Sequence, residues 1–358
     1  EFKSIIPEIL YLRFLLPLIS YLATNKTFSK SKTTTGQLLQ KWLPEWFVIT
    51  TDAFHEQLLD LDIYSKIARL NSGDNNITAI ADDIQKKIIA QSLSPKIQDL
   101  LERELYKINN WQETFFAIRS SAVGEDAAEA SFAGQMDSFL FQKNIKSISN
   151  SILACFASAF SDRAIRYRLH HKMNLLDIKT AVIVQRMIES RVSGVFFTAQ
   201  PVTGSRKHGL ISACYGIGEG IVSGVCNTDE YTVELYGEGI ETRINSKDVQ
   251  IIFDNDKGIG TKEAPVDLDL QNVSCLDEDE IRQIINDGRR ISELAKFPQD
   301  IEWGIYDSQL YILQTRPVTS LPGPLNPTGN KVIWDNSNIQ ESYCGVTTPL
   351  TFTFANRG

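Results

Sequence analysis

The order of strand-like and helix-like segments along the chain constrains its fold more than any other feature of the sequence. Runs of apolar or alternating residues bounded by turn residues predict strands at 47–50, 115–118, 138–141, 181–185, 194–198, 210–214, 231–235, 249–253, 301–305 and 310–315. Helical patterns occur between some of these strands but not between all of them. Because helices and strands do not alternate regularly, the order predicts an α+β architecture.

Helical periodicity is strongest in two places. Apolar residues recur every three or four positions over 145–167, which predicts one amphipathic helix packed on a sheet. Asp277 and Glu280 have the spacing of a capping box at the start of a second helix. The first hundred residues are mostly helical in pattern. The apolar stretch 5–22 is interrupted by prolines and charges, so we predict a packed helical pair there and not a membrane span.

Charge and cysteine content narrow the class of protein. The 358 residues suggest two packed units, or one large fold built from subdomains. With 36 basic and 44 acidic residues the net charge is −8, so the chain has no general attraction to nucleic acid and any phosphate contact must be local. The five cysteines show no C-x-x-C spacing, which argues against a zinc site or a disulfide framework and favours a reducing cytoplasm.

A loop of small residues follows the strand at 115–118. Arg119 stands where that strand ends, and the loop 120–134 contains Gly134 and leads into the strand beginning at Ser138. Backbone amides in such a loop can approach a polyphosphate, and Arg119 would supply positive charge. The alternative is a surface ion pair beside an ordinary loop, and these residues alone leave both open.

Two strands near residue 310 carry polar residues at alternating positions. Asp300 and Glu302 share one face of the first strand, and Gln314 and Arg316 share one face of the second. The turn between the strands decides whether these two faces coincide.

The turn of this hairpin can have either of two lengths. A three-residue loop at 307–309 without a bulge would pair Tyr306 with Leu310, Glu302 with Gln314, and Asp300 with Arg316. A two-residue turn would instead place Gln314 and Arg316 on the face opposite the carboxylates.

The shared face would be suited to phosphate chemistry. Carboxylates hold Mg²⁺, the metal bridges phosphate oxygens, and an arginine neutralises charge that develops during phosphoryl transfer. The alternative is a cross-strand salt bridge on a solvated sheet face.

Several motifs in a fixed order resemble one known family, the ATP-binding domain of phosphoenolpyruvate synthase and pyruvate phosphate dikinase. The resemblance runs from about residue 43 to residue 319. The motifs are Arg119-Ser-Ser-Ala, Ala130-Ser-Phe-Ala-Gly-Gln135, Val184-Gln-Arg-Met187, Ser193-Gly-Val-Phe-Phe-Thr198, Pro201-Val-Thr-Gly204, Gly216-Ile-Gly-Glu219, Pro298-Gln-Asp-Ile-Glu-Trp303 and Leu313-Gln-Thr-Arg-Pro317.

The resemblance implies an ATP-grasp fold, made of packed subdomains with mixed sheets and flanking helices, that clamps Mg-ATP. The family cleaves ATP to AMP and passes the β-phosphoryl group to a histidine on a swivelling domain. The resemblance further implies that Arg119 and Arg316 contact the phosphates, and that the loop residue Gly134 and Ser138 contact the nucleotide. It implies an adenine-side contact from Gln185, and metal and ribose or phosphate contacts from Glu302 and Gln314. Asp300 would be a second carboxylate on the metal side.

The resemblance also suggests how the chain is divided. We predict a divergent helical segment over 1–42, a first ATP-grasp subdomain over 43–190, a second over 191–320, and a linker toward a following domain over 321–358. The expected partners are ATP, the phosphohistidine domain and an acceptor-substrate domain, with no nucleic acid and no membrane.

The sequence departs from the family pattern in three respects. It lacks the Gly-Gly-Lys triplet whose lysine reaches the phosphates, so either Lys26, Lys30 or Lys32 substitutes for that lysine or the contact is absent. Gln200 stands where the family has aspartate. The four histidines, at 55, 170, 171 and 208, lack the sequence context of a phosphohistidine acceptor.

Three functional hypotheses follow. The first is the ATP-binding half of a dikinase-type phosphotransferase. The second, motivated by the missing triplet and Gln200, is a degenerate nucleotide-binding scaffold or sensor without turnover. The third is an α+β interaction domain without a ligand, which the ordered motifs disfavour.

Overall fold

A computed structural model describes residues 42–59, 61–71, 76–122, 126–127, 130–131, 137–258, 260–318 and 321. All of them belong to one unit that ends at Leu321. Several sequence predictions lie outside these ranges. They are the helical pair over 5–22, the candidate lysines 26, 30 and 32, the loop residue Gly134, and all but the first residue of the predicted linker.

The described residues form fourteen strands and eight α-helices. In chain order these are β1 (Trp46–Ile49), α1 (Thr51–Leu58), α2 (Ile63–Asn71), α3 (Ile77–Ile89), α4 (Pro95–Leu105), β2 (Phe116–Ala122), β3 (Asp126–Ala127), β4 (Ala130–Ser131), β5 (Ser138–Gln142), α5 (Ile145–Ser158), α6 (Asp162–His170), β6 (Thr180–Arg186), β7 (Val192–Phe197), β8 (His208–Tyr215), α7 (Glu219–Val222), β9 (Asp229–Glu234), β10 (Ile240–Arg243), β11 (Val249–Phe253), β12 (Thr261–Pro265), α8 (Glu278–Ala295), β13 (Gln299–Tyr306) and β14 (Gln309–Pro317). The predicted α+β class is confirmed.

Two sheets dominate the architecture. A four-stranded antiparallel sheet has the order β1-β6-β2-β5, and a six-stranded antiparallel sheet has the order β10-β9-β8-β7-β13-β14. Two short pairs, β11-β12 and β3-β4, form separate two-stranded sheets, and an isolated parallel bridge joins Gly216 to Ile251 of β11. Every strand predicted from the sequence overlaps an observed one. β10 and β12 were not predicted, because their largely exposed, polar sequences lack apolar alternation. The end of β2 and both β3 and β4 fall within the loop predicted over 120–134, so Arg119 lies inside its strand and not at the end of it.

The helical predictions are confirmed at one site and wrong in detail at another. Asp277 and Glu280 form the predicted capping box of α8. The single helix predicted over 145–167 is two helices, because the Ser161 side chain accepts a hydrogen bond from the amide of Ala164 and starts α6 anew.

The hairpin of β13 and β14 combines a two-residue turn with a bulge. Asp307 and Ser308 form a two-residue turn with φ of 48° and 59°, so Tyr306 pairs with Gln309 and the shorter of the two turn lengths is the one present. A bulge at Leu313 then shifts the register, and Glu302 opposes Gln314.

Beyond the bulge Asp300 opposes Arg316. The two-residue turn therefore does not put Gln314 and Arg316 on the face opposite the carboxylates, because the bulge restores the pairs expected for the three-residue loop.

Each sheet buries one face in its own hydrophobic core. The first core combines the inner face of the four-stranded sheet, including Ile118 and Val182, with the helices between β1 and β6. The second core packs α8 against the six-stranded sheet through Phe196 and Trp303. At Gly288 of α8 a Cβ would lie 2.4 Å from the Phe196 ring, so this close approach requires glycine.

A third apolar cluster lies between residues of the two sheets. Phe115, just before β2, packs against Phe253 of β11 with ring centroids 4.4 Å apart and ring planes tilted by 48°, and the Phe141 ring of β5 has its centroid 4.8 Å from that of Phe253. Cys214 of β8 and Ile251 of β11 are buried in the same cluster. We call these residues the apolar joint, because they connect the four-stranded sheet to the rest of the molecule.

Candidate functional site

Arg119 is directed away from the first core by strand alternation. Phe116 and Ile118 on β2 are fully buried in that core, so Arg119 belongs to the opposite face of the sheet. In the antiparallel register Arg119 pairs with Ile183 of β6 and with Ser138 of β5. The sequence therefore places the guanidinium on the sheet face that lies toward the second half of the chain.

Arg119 contacts both strands of the β13–β14 hairpin. Its Nη1 lies 3.4 Å from Oε1 of Gln314 and 3.8 Å from Oε2 of Glu302. The Arg119 and Glu302 side chains are 22% and 25% exposed. The Nε of Arg119 is buried and makes no hydrogen bond. Charged and polar groups from two separate sheets thus meet at one place that remains open to a ligand.

The second arginine is held by a carboxylate on the neighbouring strand. Nε and Nη2 of Arg316 each lie 2.7 Å from Oδ2 of Asp300. The Asp300 side chain is 8% exposed and that of Arg316 is 40% exposed. A buried carboxylate therefore anchors a guanidinium that reaches solvent. We call Arg119, Asp300, Glu302, Gln314 and Arg316 the intersheet site.

Two other predicted nucleotide contacts, Gln185 and Ser138, lie on the face of Arg119. Gln185 pairs with Ala117 on β2, so it shares that face with Arg119, and it is largely buried. Ser138 pairs with Arg119 itself and is exposed. The structure thus brings these two predicted residues to the same sheet face as Arg119.

The carboxylates of the intersheet site suit a magnesium ion that is shared with a ligand. Asp300 and Glu302 occupy alternate positions of one strand, with the amide oxygen of Gln314 opposite Glu302. The described residues contain no group of three or more histidine, cysteine or acidic side chains able to hold a metal alone. Mg²⁺ is commonly held by one or two carboxylates together with substrate phosphates, and this donor set fits that arrangement.

Gln200 takes part in a turn. Its Oε1 accepts a hydrogen bond from the amide of Val202 at 3.3 Å, and its backbone oxygen accepts one from Gly204 at 2.8 Å. Gln200 therefore caps the turn that follows β7.

Sequence reasoning assigned no role to three buried polar residues of the motifs, Thr198, Gln299 and Thr315. They lie on or beside the same strands as the intersheet site, but toward the core. The only sequence feature that indicated them was their position next to the candidate site residues within those motifs.

The sequence matches the family model described as pyruvate phosphate dikinase, AMP/ATP-binding domain, over residues 35–327. The chain belongs to this family. It is 34% identical over 284 residues to a rifampicin phosphotransferase of Bacillus subtilis (strain 168), which covers 78% of this chain and 32% of that protein. It is 33% identical over 288 residues to a probable phosphoenolpyruvate synthase of Methanocaldococcus jannaschii, covering 78% of this chain and 24% of that protein.

A rifampicin phosphotransferase of a Streptomyces species is 32% identical over 284 residues, with 78% of this chain and 32% of that protein covered. The chain thus spans about a third of the length of these phosphotransferases. Within the described residues, none of the helices combines the length and the apolar character needed to cross a membrane.

Proposed function

We propose that the chain binds Mg-ATP at the intersheet site and supplies the nucleotide-binding half of a dikinase-type phosphotransferase with an ATP-grasp fold. The observation that carries this proposal is the meeting of Arg119 from one sheet with Glu302 and Gln314 from the other. A triphosphate placed there would contact both sheets at once, which suits a clamp. Membership in a family of AMP/ATP-binding domains supports the choice of nucleotide.

The residues of the intersheet site contact different parts of Mg-ATP according to their charge and position. Arg119 and Arg316 contact the phosphates and offset the negative charge that grows during phosphoryl transfer. Glu302 would hold a magnesium ion, which would supply positive charge that offsets the negative charge of the phosphates. Gln314 contacts the ribose or a phosphate.

The four-stranded sheet contributes the remaining nucleotide contacts. Gln185 contacts the adenine side, and Ser138 and Gly134 contact the nucleotide from the loop side. The common face of Gln185, Ser138 and Arg119 supports these roles for the two described residues.

Asp300 serves two purposes in this proposal. It is the candidate second carboxylate on the metal side, and its two contacts with Arg316 support a role in orienting that guanidinium. Charge-assisted pairs of this kind restrict an arginine to one direction.

Transfer of the phosphoryl group requires parts beyond this chain. We propose that ATP is cleaved to AMP, that its β-phosphoryl group passes to a histidine on a separate domain and from there to an acceptor, and that its γ-phosphoryl group passes to water and leaves as inorganic phosphate. Relatives named for rifampicin and for phosphoenolpyruvate act on different acceptors, so the acceptor class stays open. A cytoplasmic location stays a prediction.

Calorimetric titration with ATP, with and without Mg²⁺, tests the proposal directly. We expect Mg²⁺-dependent binding that falls at least about tenfold in Glu302→Gln, because the substitution removes the metal-binding charge but preserves shape. Glu241→Gln on the exposed edge strand β10 is the matched control.

The proposal is contradicted if the folded wild-type chain does not bind ATP. It is also contradicted if the affinity for Mg-ATP is unchanged in Glu302→Gln. ATP binding without AMP release in the full-length protein would favour the sensor alternative.

A further inference from the structure

Three motif residues outside the intersheet site meet in one buried polar cluster. Gln299, Thr198 and Thr315 are 1%, 3% and 3% exposed. Polar side chains buried to this extent are costly unless every donor and acceptor is satisfied. Their presence at one point of the sheet therefore calls for a specific role.

The hydrogen bonds of this cluster connect three neighbouring chain segments. The backbone amide of Gln299 donates to Oγ1 of Thr198 at 2.7 Å, and the backbone amide of Thr198 donates to the backbone oxygen of Gln299 at 2.8 Å. Oγ1 of Thr315 donates to Oε1 of Gln299 at 3.0 Å. The side-chain nitrogen of Gln299 donates to the carbonyls of Phe297 and Pro298. The oxygen and the nitrogen of the Gln299 side chain are thus both hydrogen-bonded. The network connects the end of β7 to β13 and β14.

The cluster lies directly beneath the Asp300–Arg316 pair. Gln299 precedes Asp300 on β13, and Thr315 precedes Arg316 on β14, so each network residue is the immediate neighbour of a member of the pair. Because strand side chains alternate, the network faces the core while the pair faces the intersheet site. Any shift of these strand ends would move both layers together.

The bulge makes this local support necessary. Leu313 interrupts the ladder, so the register set by the turn does not extend to the four residue pairs that begin with Glu302 and Gln314. β14 is also the edge strand of its sheet, with β13 as its single neighbour there. This end of β14 is short, lies at the edge of the sheet and follows a bulge, so it needs further contacts to fix its position.

We propose that Thr198, Gln299 and Thr315 are positioning residues that fix the strand ends carrying Asp300 and Arg316, and thereby aim the Arg316 guanidinium at the nucleotide phosphates. This inference rests on the proposed function, because it assumes that Arg316 contacts phosphate. It assigns a role to motif residues that touch no ligand themselves.

A double-mutant cycle on the whole chain tests the inference. Thr315→Val keeps the side-chain shape and removes the hydroxyl that bonds Gln299. We expect affinity for Mg-ATP, measured by calorimetry, to fall roughly three- to tenfold, as for loss of one net hydrogen bond, and affinity for adenosine, measured by NMR titration, to stay unchanged. In an Arg316→Ala background the same substitution should have no further effect, because its target is gone.

Two further variants separate positioning from general stability. Thr315→Ser keeps the hydroxyl and should retain wild-type ATP affinity. Ser158→Ala removes a buried hydroxyl bonded to the Cys155 carbonyl in the first core, and should leave the ratio of ATP to adenosine affinity unchanged. Thr198→Val removes another hydroxyl of the network and serves in place of Thr315→Val if that variant does not fold.

The inference is overturned if Thr315→Val leaves ATP affinity unchanged, if it weakens ATP and adenosine equally, or if its effect persists in Arg316→Ala. A wild-type chain that binds no ATP would contradict the proposed function itself, and that result differs from each of these three.

Discussion

Lys247 shows at the scale of one residue how a charge is accommodated in this molecule. It is fully buried, and its Nζ lies 2.7 Å from Oδ1 of the equally buried Asp229. The carbonyls of Asn245 and Gln271 accept its other hydrogen bonds, at 2.9 and 3.2 Å. Asp229 in turn accepts from the amides of Cys275 and Asn245. Every contact is internal, so the pair fixes the end of β9 against the loops around it.

Replacing Lys247 by methionine should destabilise the fold strongly. The substitution preserves the length of the side chain but leaves the Asp229 carboxylate buried without its counter-charge, and breaking such a pair costs about 3–5 kcal/mol. Chemical denaturation of the two proteins would measure the difference in unfolding free energy.

Arg103→Met, in an exposed helical pair with Asp99, is the control and should cost well under about 1 kcal/mol. Similar losses in both variants would show that the buried pair is not special.

Element-scale features decide how the intersheet site is assembled. The turn at Asp307 and Ser308 has both residues at positive φ, which non-glycine residues adopt at a cost. Asn-Gly is the preferred sequence for such a turn, because asparagine and glycine tolerate this backbone region.

The double substitution Asp307→Asn with Ser308→Gly should therefore stabilise the hairpin. We expect a gain of up to about 1 kcal/mol, limited by the greater freedom of glycine in the unfolded chain. Thermal unfolding measures it. Asn255→Gly, in the β11–β12 turn, where φ is not positive, is the control and should lose stability. A loss of stability in the doubly substituted turn would contradict the assignment of its conformation.

The same hairpin shows what the sequence could and could not predict. Alternation correctly placed Asp300 and Glu302 on one face of β13, and Gln314 and Arg316 on one face of β14, but their pairing depended on the turn. It could not distinguish a three-residue loop from a two-residue turn followed by a bulge, because both give that pairing. The bulge at Leu313 has no sequence pattern of its own, and it depends on how the whole sheet packs.

Two other features were not predicted, one of them local and one tertiary. The separation of α5 from α6 depends on one serine cap that helical periodicity conceals. The contact of Arg119 with Glu302 joins residues of different sheets, which strand patterns cannot reveal. The ordered motifs indicated that these residues act together but not which atoms meet.

At the scale of the whole molecule, the apolar joint determines whether the two cores behave as one. Phe253 contacts the rings of both Phe115 and Phe141, which belong to the four-stranded half of the structure. Removing its ring should loosen the link without opening either core.

We expect Phe253→Ala to cost about 3 kcal/mol and to separate the unfolding of the two cores. Differential scanning calorimetry would show this as a van't Hoff enthalpy that falls below the calorimetric one. Phe54→Ala lies wholly in the first core and is the matched control, with comparable loss but without that divergence. A single two-state transition in Phe253→Ala would show that other contacts couple the cores.

Trp42 gives the fold a consequence for the order of events during protein synthesis. Although it precedes β1 of the four-stranded sheet, its side chain is buried in the second core, with the guanidinium of Arg290 5.7 Å from its ring. A ribosome releases Trp42 long before α8 exists to cover it, so the first core can form while this indole still lacks its partners. The nascent chain therefore carries an exposed tryptophan until nearly all of the described residues have been made, and a chaperone has that interval in which to bind it.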